Sequence, residues 1–525
     1  MIPELIHNVP NIVGQKFIFK KEYSLFSEFE EWTVQAFDER KCLIHKVVEE
    51  TSNAEIVVRK NETLSNEEYH IDVNEEKIHI SAKNEIGVVW AFTSLVQLMD
   101  KRKQVSAGTI DDMPKYEHRG LALDCVRHFF SIDEVKKVIE EISLVKMNRL
   151  HWILSNDQGF RIESKVFPKL YSEMGGEYYT QEQIKEVIEF AGIRGVQIIP
   201  EIDMPGHTSA ILAAYPELSC SGKKVKIPHE GGVYPVVLCP GKEETYDFVE
   251  KLIEEMATIF QGNLIHIGGD EAPDWEWMKC PCCQRKMKEE GFEDTRQLQG
   301  YFSERVKQML AKRKKNVICW NDSLMASNFQ WKPEVDGEFK QETKIQYWSV
   351  QYAKQSKEAL NKGGSIIYSD MFELYLDYPS CMSSMEKIYL CKPEISGEFY
   401  SAPESSIDGL EACLWTENVH TDQLLEERLF PRIFAVAENT WSSKQNYEDF
   451  KERLSCYIEQ VEMRGIHCQS IEEANPQGKE RADGIKEYTE IMRNAMSPEM
   501  HELSVKFTQP GKEFQERFMN KFFGL

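Results

Sequence analysis

Between about residue 115 and residue 446 the sequence repeats one pattern eight times: a short apolar run, then an amphipathic helical stretch. The runs are GLALDCV from Gly120, RLHWIL from Arg149, VQIIPEID from Val196, LIHIGG from Leu264, VICWND from Val317, IQYWS from Ile345, SIIYSD from Ser365 and LEACLWTE from Leu410. Strands that alternate with helices predict a parallel sheet, and eight such units predict an α/β fold, a (β/α)8 TIM barrel with long insertions. The helices carry their own boundary signals. Ser131 with Glu134 and Thr180 with Gln183 have capping-box spacing, and Gly195 closes the second helix. A doubly wound open sheet is the alternative, but it normally shows a glycine-rich phosphate turn after its first strand, and none is present.

Nearly every run ends in polar or aromatic residues: Asp124, Arg127 and His128; Asn156 and Asp157; Asp203 and His207; Trp320 and Asp322; Trp348; Asp370, Tyr375 and Asp377; Trp415 and Glu417. One acid or histidine at a strand end is as readily a satisfied structural residue as a functional one. A barrel gathers all eight ends around one mouth, however, so together they describe one acidic, tryptophan-lined pocket. The most pointed end is LIHIGGDE at 264–271, which delivers Asp270 and Glu271 side by side after two glycines. The same dipeptide at 38–39 and 133–134 is better read as a solvated face. If strand alternation continues through the third copy, its two carboxylates point to opposite sides and can do different jobs about one substrate.

The flanks differ in texture. Residues 1–112 contain strand-like YHIDV and KIHISA followed by the helical IGVVWAFTSLVQLM, which predicts a small α+β domain beside a barrel of 113–446. Residues 447–525 read as a charged helical region, clearest in NYEDFKERLSCYIEQVEMRG and weakly periodic over about the last 50 residues. Hydrophobic residues at 41% exclude a disordered chain, and no apolar run approaches the ~18 residues of a membrane span. A net charge of −24 argues against a nucleic-acid partner, which needs clustered Lys and Arg. The start lacks a basic segment ahead of an apolar one, so a cytoplasmic location is the expectation. Most of the thirteen cysteines, such as Cys125, Cys319 and Cys413, lie in apolar runs where a buried free thiol is usual. Cys280-Pro-Cys282-Cys283 is different. With Cys220 and Cys239 in the preceding strand's loop, Cys280 and Cys283 have the spacing of a closed structural zinc site, with free thiols or a disulfide as the alternatives.

An acidic pocket faced by tryptophans suits a sugar, whose C–H faces stack on indoles while carboxylates and Arg bind its hydroxyls. Glycoside hydrolysis is the leading reaction class. Adjacent acids sit awkwardly for the usual retaining pair and suit a division of labour, one serving the glycosidic oxygen and one a substrate group. Six ordered motifs carry a resemblance: HRGLALDCVRHF at 118–129, NRLHWILSNDQGFRIES at 148–164, PEIDMPGH at 200–207, HIGGDE at 266–271, YLDYP at 375–379 and LWTEN at 414–418. From about His118 to Trp441 the chain resembles glycoside hydrolase family 20, the β-N-acetylhexosaminidases, with a fainter likeness over the N-terminal region.

The resemblance implies an exo-acting enzyme that removes terminal β-linked N-acetylglucosamine or N-acetylgalactosamine from oligosaccharides or glycoconjugates and needs no cofactor for the hydrolysis. It implies substrate-assisted retention, in which the acetamido oxygen attacks the anomeric carbon to form an oxazolinium ion. Glu271 would be the general acid and then base, Asp270 would hold the acetamido N–H, and Tyr375 would donate to the acetamido oxygen. Trp320, Trp348 and Trp415 resemble the walls of the sugar site, and Arg119, Asp377 and Glu417 the ligands of its hydroxyls. One departure stands out. Where the family has two consecutive acids the chain has Asn156-Asp157, and the first of the pair, which partners the histidine of the PGH motif, His207, is Asn156. An amide orients an imidazole without stabilising its cation, so a less cationic His207 and a moved pH optimum are expected. The same departure raises the alternative of a catalytically weakened sugar-binding protein.

Overall fold

The computed structural model describes residues 1–10, 15–172, 174–325, 335–336, 338–393, 407–495, 497 and 502. Most of the weakly periodic C-terminal stretch, and 394–406 of the long loop before the last barrel strand, lie outside the described residues. Eight parallel strands close on themselves: β1 (His118–Asp124), β2 (Arg149–Asn156), β3 (Gln197–Ile202), β4 (Leu264–His266), β5 (Asn316–Trp320), β6 (Thr343–Tyr347), β7 (Ser365–Tyr368) and β8 (Ile407–Leu414). Each pairs with the next, and β8 pairs back to β1 with His118 opposite Gly409 and Leu123 opposite Leu414. The eight apolar runs are these strands, because β-branched and aliphatic runs bounded by helices can bury both faces only in a covered parallel sheet.

Both N-terminal caps form, the second as the full box its spacing predicts and the first through the Ser131 side chain alone, while the second helix ends at Gly192, ahead of Gly195. Ser131 accepts from the Glu134 amide, and Thr180 and Gln183 complete a reciprocal capping box. One expectation fails locally. β4 stops at His266 because Gly268 and Gly269 take φ of +63° and +89°, and Glu271 itself lies at φ +42°. Asp270 and Glu271 therefore leave a turn rather than opposite faces of a strand.

Ahead of the barrel, seven strands form a mixed sheet in the order His7–Pro10, Gly108–Asp112, Tyr69–Val73, Ile78–Ala82, Ile56–Lys60, Glu22–Ser27, Ile44–Val47. Helix Glu85–Leu98 is apolar nearly all round and buries ten of its residues, because it lies between this sheet and the barrel, where Leu144 and Trp441 join its cluster. Several polar groups in this seam are paired. Lys146 Nζ donates to Asp112 and to the Tyr69 hydroxyl, each at 2.7 Å, and Trp441 Nε1 donates to Asp112 at 3.0 Å. Behind the barrel, helices Tyr447–Met463 and Gly478–Ala495 complete the described chain.

Arg119 belongs to this seam and not to the pocket expected at the carboxyl ends of the strands. It is the second residue of β1, at the amino end of the barrel, and is wholly buried. Its guanidinium donates to Glu67 of the preceding sheet at 2.5 Å and to the carbonyls of Lys146 and Tyr116 at 2.8 Å each. Burial pushes the Glu67 carboxyl up, but the Arg119 charge and hydrogen bond overcome it, so the group ionises below the usual range. Breaking a buried pair strands the remaining charge. Arg119→Ala is expected to lose about 3–5 kcal/mol of unfolding free energy by denaturant titration; a substitution without effect on stability would place Arg119 elsewhere.

Candidate active site

The carboxyl ends of the strands surround a cavity of about 430 Å³ that His207, Asp270, Glu271, Trp320, Trp348, Tyr375, Asp377, Trp415 and Glu417 all line. The turn carrying the acid pair is set by close approach. A Cβ on Gly268 would lie 1.9 Å from Asp203 Oδ1, so only glycine lets the chain turn here against the end of β3. Asp203 accepts from the Gly269 amide at 3.0 Å, and Asp322, after β5, accepts from the Glu271 amide at 2.7 Å. Two buried carboxyls thus clamp the backbone on either side of Asp270. Burial, reinforced by the Asp270 charge, pushes both Asp203 and Asp322 far above the usual carboxylate range. Asp270 itself is pushed up to about 6 by burial and by Glu201 and Glu271, against the pull of His207.

His207 ties the pocket together. It sits after the turn that ends β3, and its Nδ1 lies 2.8 Å from Asp157 Oδ2. Its Nε2 faces the acid pair, 3.4 Å from Glu271 Oε2 and 3.7 Å from Asp270 Oδ2. Burial lowers the affinity of the imidazole for a proton, but the hydrogen bonds of Asp157 and Glu271 and the Asp270 charge outweigh it, and its pKa lies well above the ordinary value. The expectation built on Asn156 is corrected here. Asn156 is buried and turns its Oδ1 to the Asp157 amide at 2.8 Å, while Asp157, also fixed by Ser209, supplies the carboxylate to His207. The side chain of residue 156 closes its own turn, leaving the next residue to reach the imidazole. His207 is therefore cationic, not less so.

The aromatic wall is continuous. Trp320 and Trp415 have ring centroids 5.8 Å apart, Tyr375 lies 5.9 Å from Trp415, and Trp348 is held by its Nε1 donating to Asp322 at 3.2 Å. Tyr375 follows β7 and runs beside Cys413 of β8, and burial keeps its hydroxyl protonated far beyond neutral pH. Across the cavity Asp377 is pushed up to about 8, by burial first and then by Glu417, whose own pKa burial also raises.

A cation stands beside Glu417: Arg127 lines the cavity 3.6 Å from that carboxylate and stacks 5.1 Å from the Trp415 ring centre. Arg127 and Arg119 both fall in the motif at 118–129, and the rule that barrel chemistry sits at the carboxyl ends of strands distinguishes them, since β1 ends at Asp124. Two further parts of the wall had no motif to mark them: the segment His229–Val233 and Tyr488 of the C-terminal helix, whose ring meets Tyr378 at 5.9 Å. The four cysteines singled out by spacing converge beside the acid turn, with sulfur–sulfur separations of 3.8 Å (Cys220–Cys283), 3.7 Å (Cys239–Cys280) and 3.5 Å (Cys239–Cys283).

Comparison with known proteins agrees with this geometry. Residues 116–444 match the model of the glycosyl hydrolase family 20 catalytic domain, and residues 17–113 match that of its domain 2. The chain is 31% identical over 444 residues to a beta-hexosaminidase of Porphyromonas gingivalis, covering 77% of this chain but 55%, about half, of that protein. A beta-N-acetylhexosaminidase structure from Bacteroides fragilis superposes with a TM-score of 0.80 at 27% identity, covering 92% of this chain and 99% of that one. A family 20 exo beta-N-acetylglucosaminidase of Vibrio harveyi, solved with N-acetylglucosamine, superposes with a TM-score of 0.76 at 26% identity, covering 89% and 78%.

The pairing of His207 with Asp157 is open to direct measurement. In an NMR titration the His207 ring is expected to keep its proton well above pH 6.5, to lose it at lower pH in Asp157→Asn, and to be unmoved in Asn156→Asp. A shift in Asn156→Asp alone would reverse the assignment.

Proposed function

Since the chain belongs to glycoside hydrolase family 20, we propose that it is a retaining exo-glycosidase that releases terminal non-reducing β-linked N-acetylglucosamine or N-acetylgalactosamine by a substrate-assisted mechanism. The carrying observation is that adjacent Asp270 and Glu271 face one cavity of about 430 Å³ walled by Trp320, Trp348 and Trp415 and reached by the Tyr375 hydroxyl. A pocket of this size holds one pyranose, and the indoles present apolar faces to its ring and to an acetamido methyl.

In the first step Glu271 gives its proton to the glycosidic oxygen as the C1–O bond breaks, and the acetamido carbonyl oxygen forms the new bond to C1. The positive charge this leaves on the acetamido group falls beside Asp270, which accepts the N–H as a carboxylate, while the Tyr375 hydroxyl donates to the acetamido oxygen and orients it. Fixed charges in a pocket screened from water stabilise such an intermediate without reorganising. In the second step Glu271 takes a proton from water as the water attacks C1, and the acetamido group is restored with net retention. His207, cationic and with Nε2 3.4 Å from Glu271 and 3.7 Å from Asp270, positions the two acids and favours their ionised forms. Arg127, Asp377 and Glu417 are assigned to the sugar hydroxyls, Arg127 replacing Arg119 in that role. A weakened sugar-binding protein loses its motive once Asp157 is seen to partner His207.

With an aryl β-N-acetylglucosaminide, Glu271→Gln is expected to lower kcat about 100- to 10,000-fold, the usual weight of a general acid. The kcat/KM profile is expected to fall below about pH 6 as Asp270 takes up a proton and loses the charge that balances the intermediate. On the alkaline side it falls as His207 loses its proton. Undiminished turnover in Glu271→Gln would overturn the reading.

A further inference from the structure

The cysteine cluster lies outside the reacting pocket, yet it holds both of the loops that shape it. Cys220 and Cys239 sit at the two ends of the irregular segment 221–238, which brings His229–Val233 to the cavity wall. The base of this loop is drawn together by the Cys239 amide donating to the Leu218 carbonyl at 2.9 Å. Cys280 and Cys283 start the helix Pro281–Glu290, the next helix after the acid turn, reached through residues 272–280. Cys280 is its N-cap residue, and a helix N-terminus favours thiolates over thiols. A Cβ on Gly241 would lie 2.4 Å from the backbone of Cys282 and Cys283, so the Cys-Pro-Gly turn at 239–241 packs on the Cys-Pro-Cys-Cys turn as closely as a main chain can.

The sulfur geometry separates the alternatives. A disulfide brings two sulfurs to about 2.05 Å. All four ligand atoms here lie within 4.8 Å of one another, and three of the separations are 3.5, 3.7 and 3.8 Å. Four thiolates at about 2.3 Å from a tetrahedral zinc stand about 3.8 Å apart. The surroundings are dry: Val237, Ala272, Trp277 and Leu298 pack around the cluster, and Cys239, Cys280 and Cys283 are buried. Ala272 is the residue after Glu271, and Trp277 Nε1 donates across to the Leu238 carbonyl at 3.1 Å.

We propose that Cys220, Cys239, Cys280 and Cys283 bind one Zn²⁺ as a structural tie that fixes the pocket wall 221–238 to the segment leaving Glu271. Four thiols give up their protons to solvent as the Zn–S bonds form, so the ion is a closed four-thiolate site with no open position for substrate. The metal takes no part in the proposed hydrolysis; its influence on activity, which rests on that reading, passes through the placement of the two loops.

The test is metal analysis of the full chain purified without added zinc, together with X-ray absorption at the zinc edge. About one zinc per chain with four sulfurs near 2.3 Å is the expected result. Cys282→Ser, which alters the neighbouring cysteine outside the quartet, is expected to keep the zinc, and Cys283→Ser to lose it. Stripping zinc from the native protein with a chelator is expected to lower its thermal midpoint and its kcat/KM, with both restored by zinc alone. Protein without bound metal whose four thiols all react in the folded state, a disulfide within the quartet, or iron in place of zinc would each overturn the site. Zinc whose removal leaves kcat/KM unchanged would overturn its role as a tie. Metal content and sulfur coordination are read without substrate, so they stand or fall separately from the hydrolase reading.

Discussion

The contact between His207 Nδ1 and Asp157 Oδ2, at 2.8 Å, is the one on which the rest of the barrel mouth depends. Six carboxyl groups, those of Asp203, Asp270, Glu271, Asp322, Asp377 and Glu417, crowd one small cavity and its floor. Burying one anion without a partner is costly, and burying several together more so. The mouth answers in two ways. Asp203 and Asp322, driven far up in pKa by burial, clamp the backbone amides of Gly269 and Glu271. Arg127 and an imidazolium at His207 supply positive charge at the two sides of the pocket. Removing Asp157 would remove the foremost of the partners that favour a charged His207, and the acid pair would then face each other with less compensation.

Chemistry and stability are held at opposite ends of the same strands. β1 shows both within a few residues: Arg119, at its amino end, locks the barrel to the preceding sheet through Glu67, and Arg127, just past its carboxyl end, meets Glu417 in the pocket. The barrel interior between them is partly polar. Glu411 bridges His118 at 2.7 Å and His151 at 2.9 Å, and Glu201 bridges His151 at 2.9 Å and His266 at 2.7 Å. These ion-paired groups run from the floor of the barrel to the strand that ends in the acid turn, so the turn stands on a network of buried charges.

The eight strands were legible because burial on both faces demands continuous apolar runs, and the pocket because a barrel collects strand ends. What the sequence misplaced was local backbone geometry. Neighbouring residues at a strand end compete for one partner, and nothing in the order Asn156-Asp157 says that the first turns back on its own chain while the second reaches His207. The same limit hid the positive φ at Gly268, Gly269 and Glu271, which ends β4 early. Arg119 and Arg127 differ in a way the sequence does carry, since strand polarity puts the first at the amino end of β1 and the second past its carboxyl end. His229–Val233 and Tyr488 could not be foreseen at all: they reach the pocket by the path of a long loop and of a C-terminal helix, and neither leaves a periodic trace.

The central claim is that the substrate's own acetamido oxygen is the nucleophile and that Asp270 steadies it. Successive fluorination of the N-acetyl methyl group withdraws electrons from that oxygen while changing the leaving group not at all. Turnover of a series of aryl glycosides bearing acetyl, fluoroacetyl, difluoroacetyl and trifluoroacetyl groups measures this directly. A steep, monotonic fall in kcat along the series is the predicted result; rates indifferent to fluorination would contradict it and point to Asp270 as the attacking group.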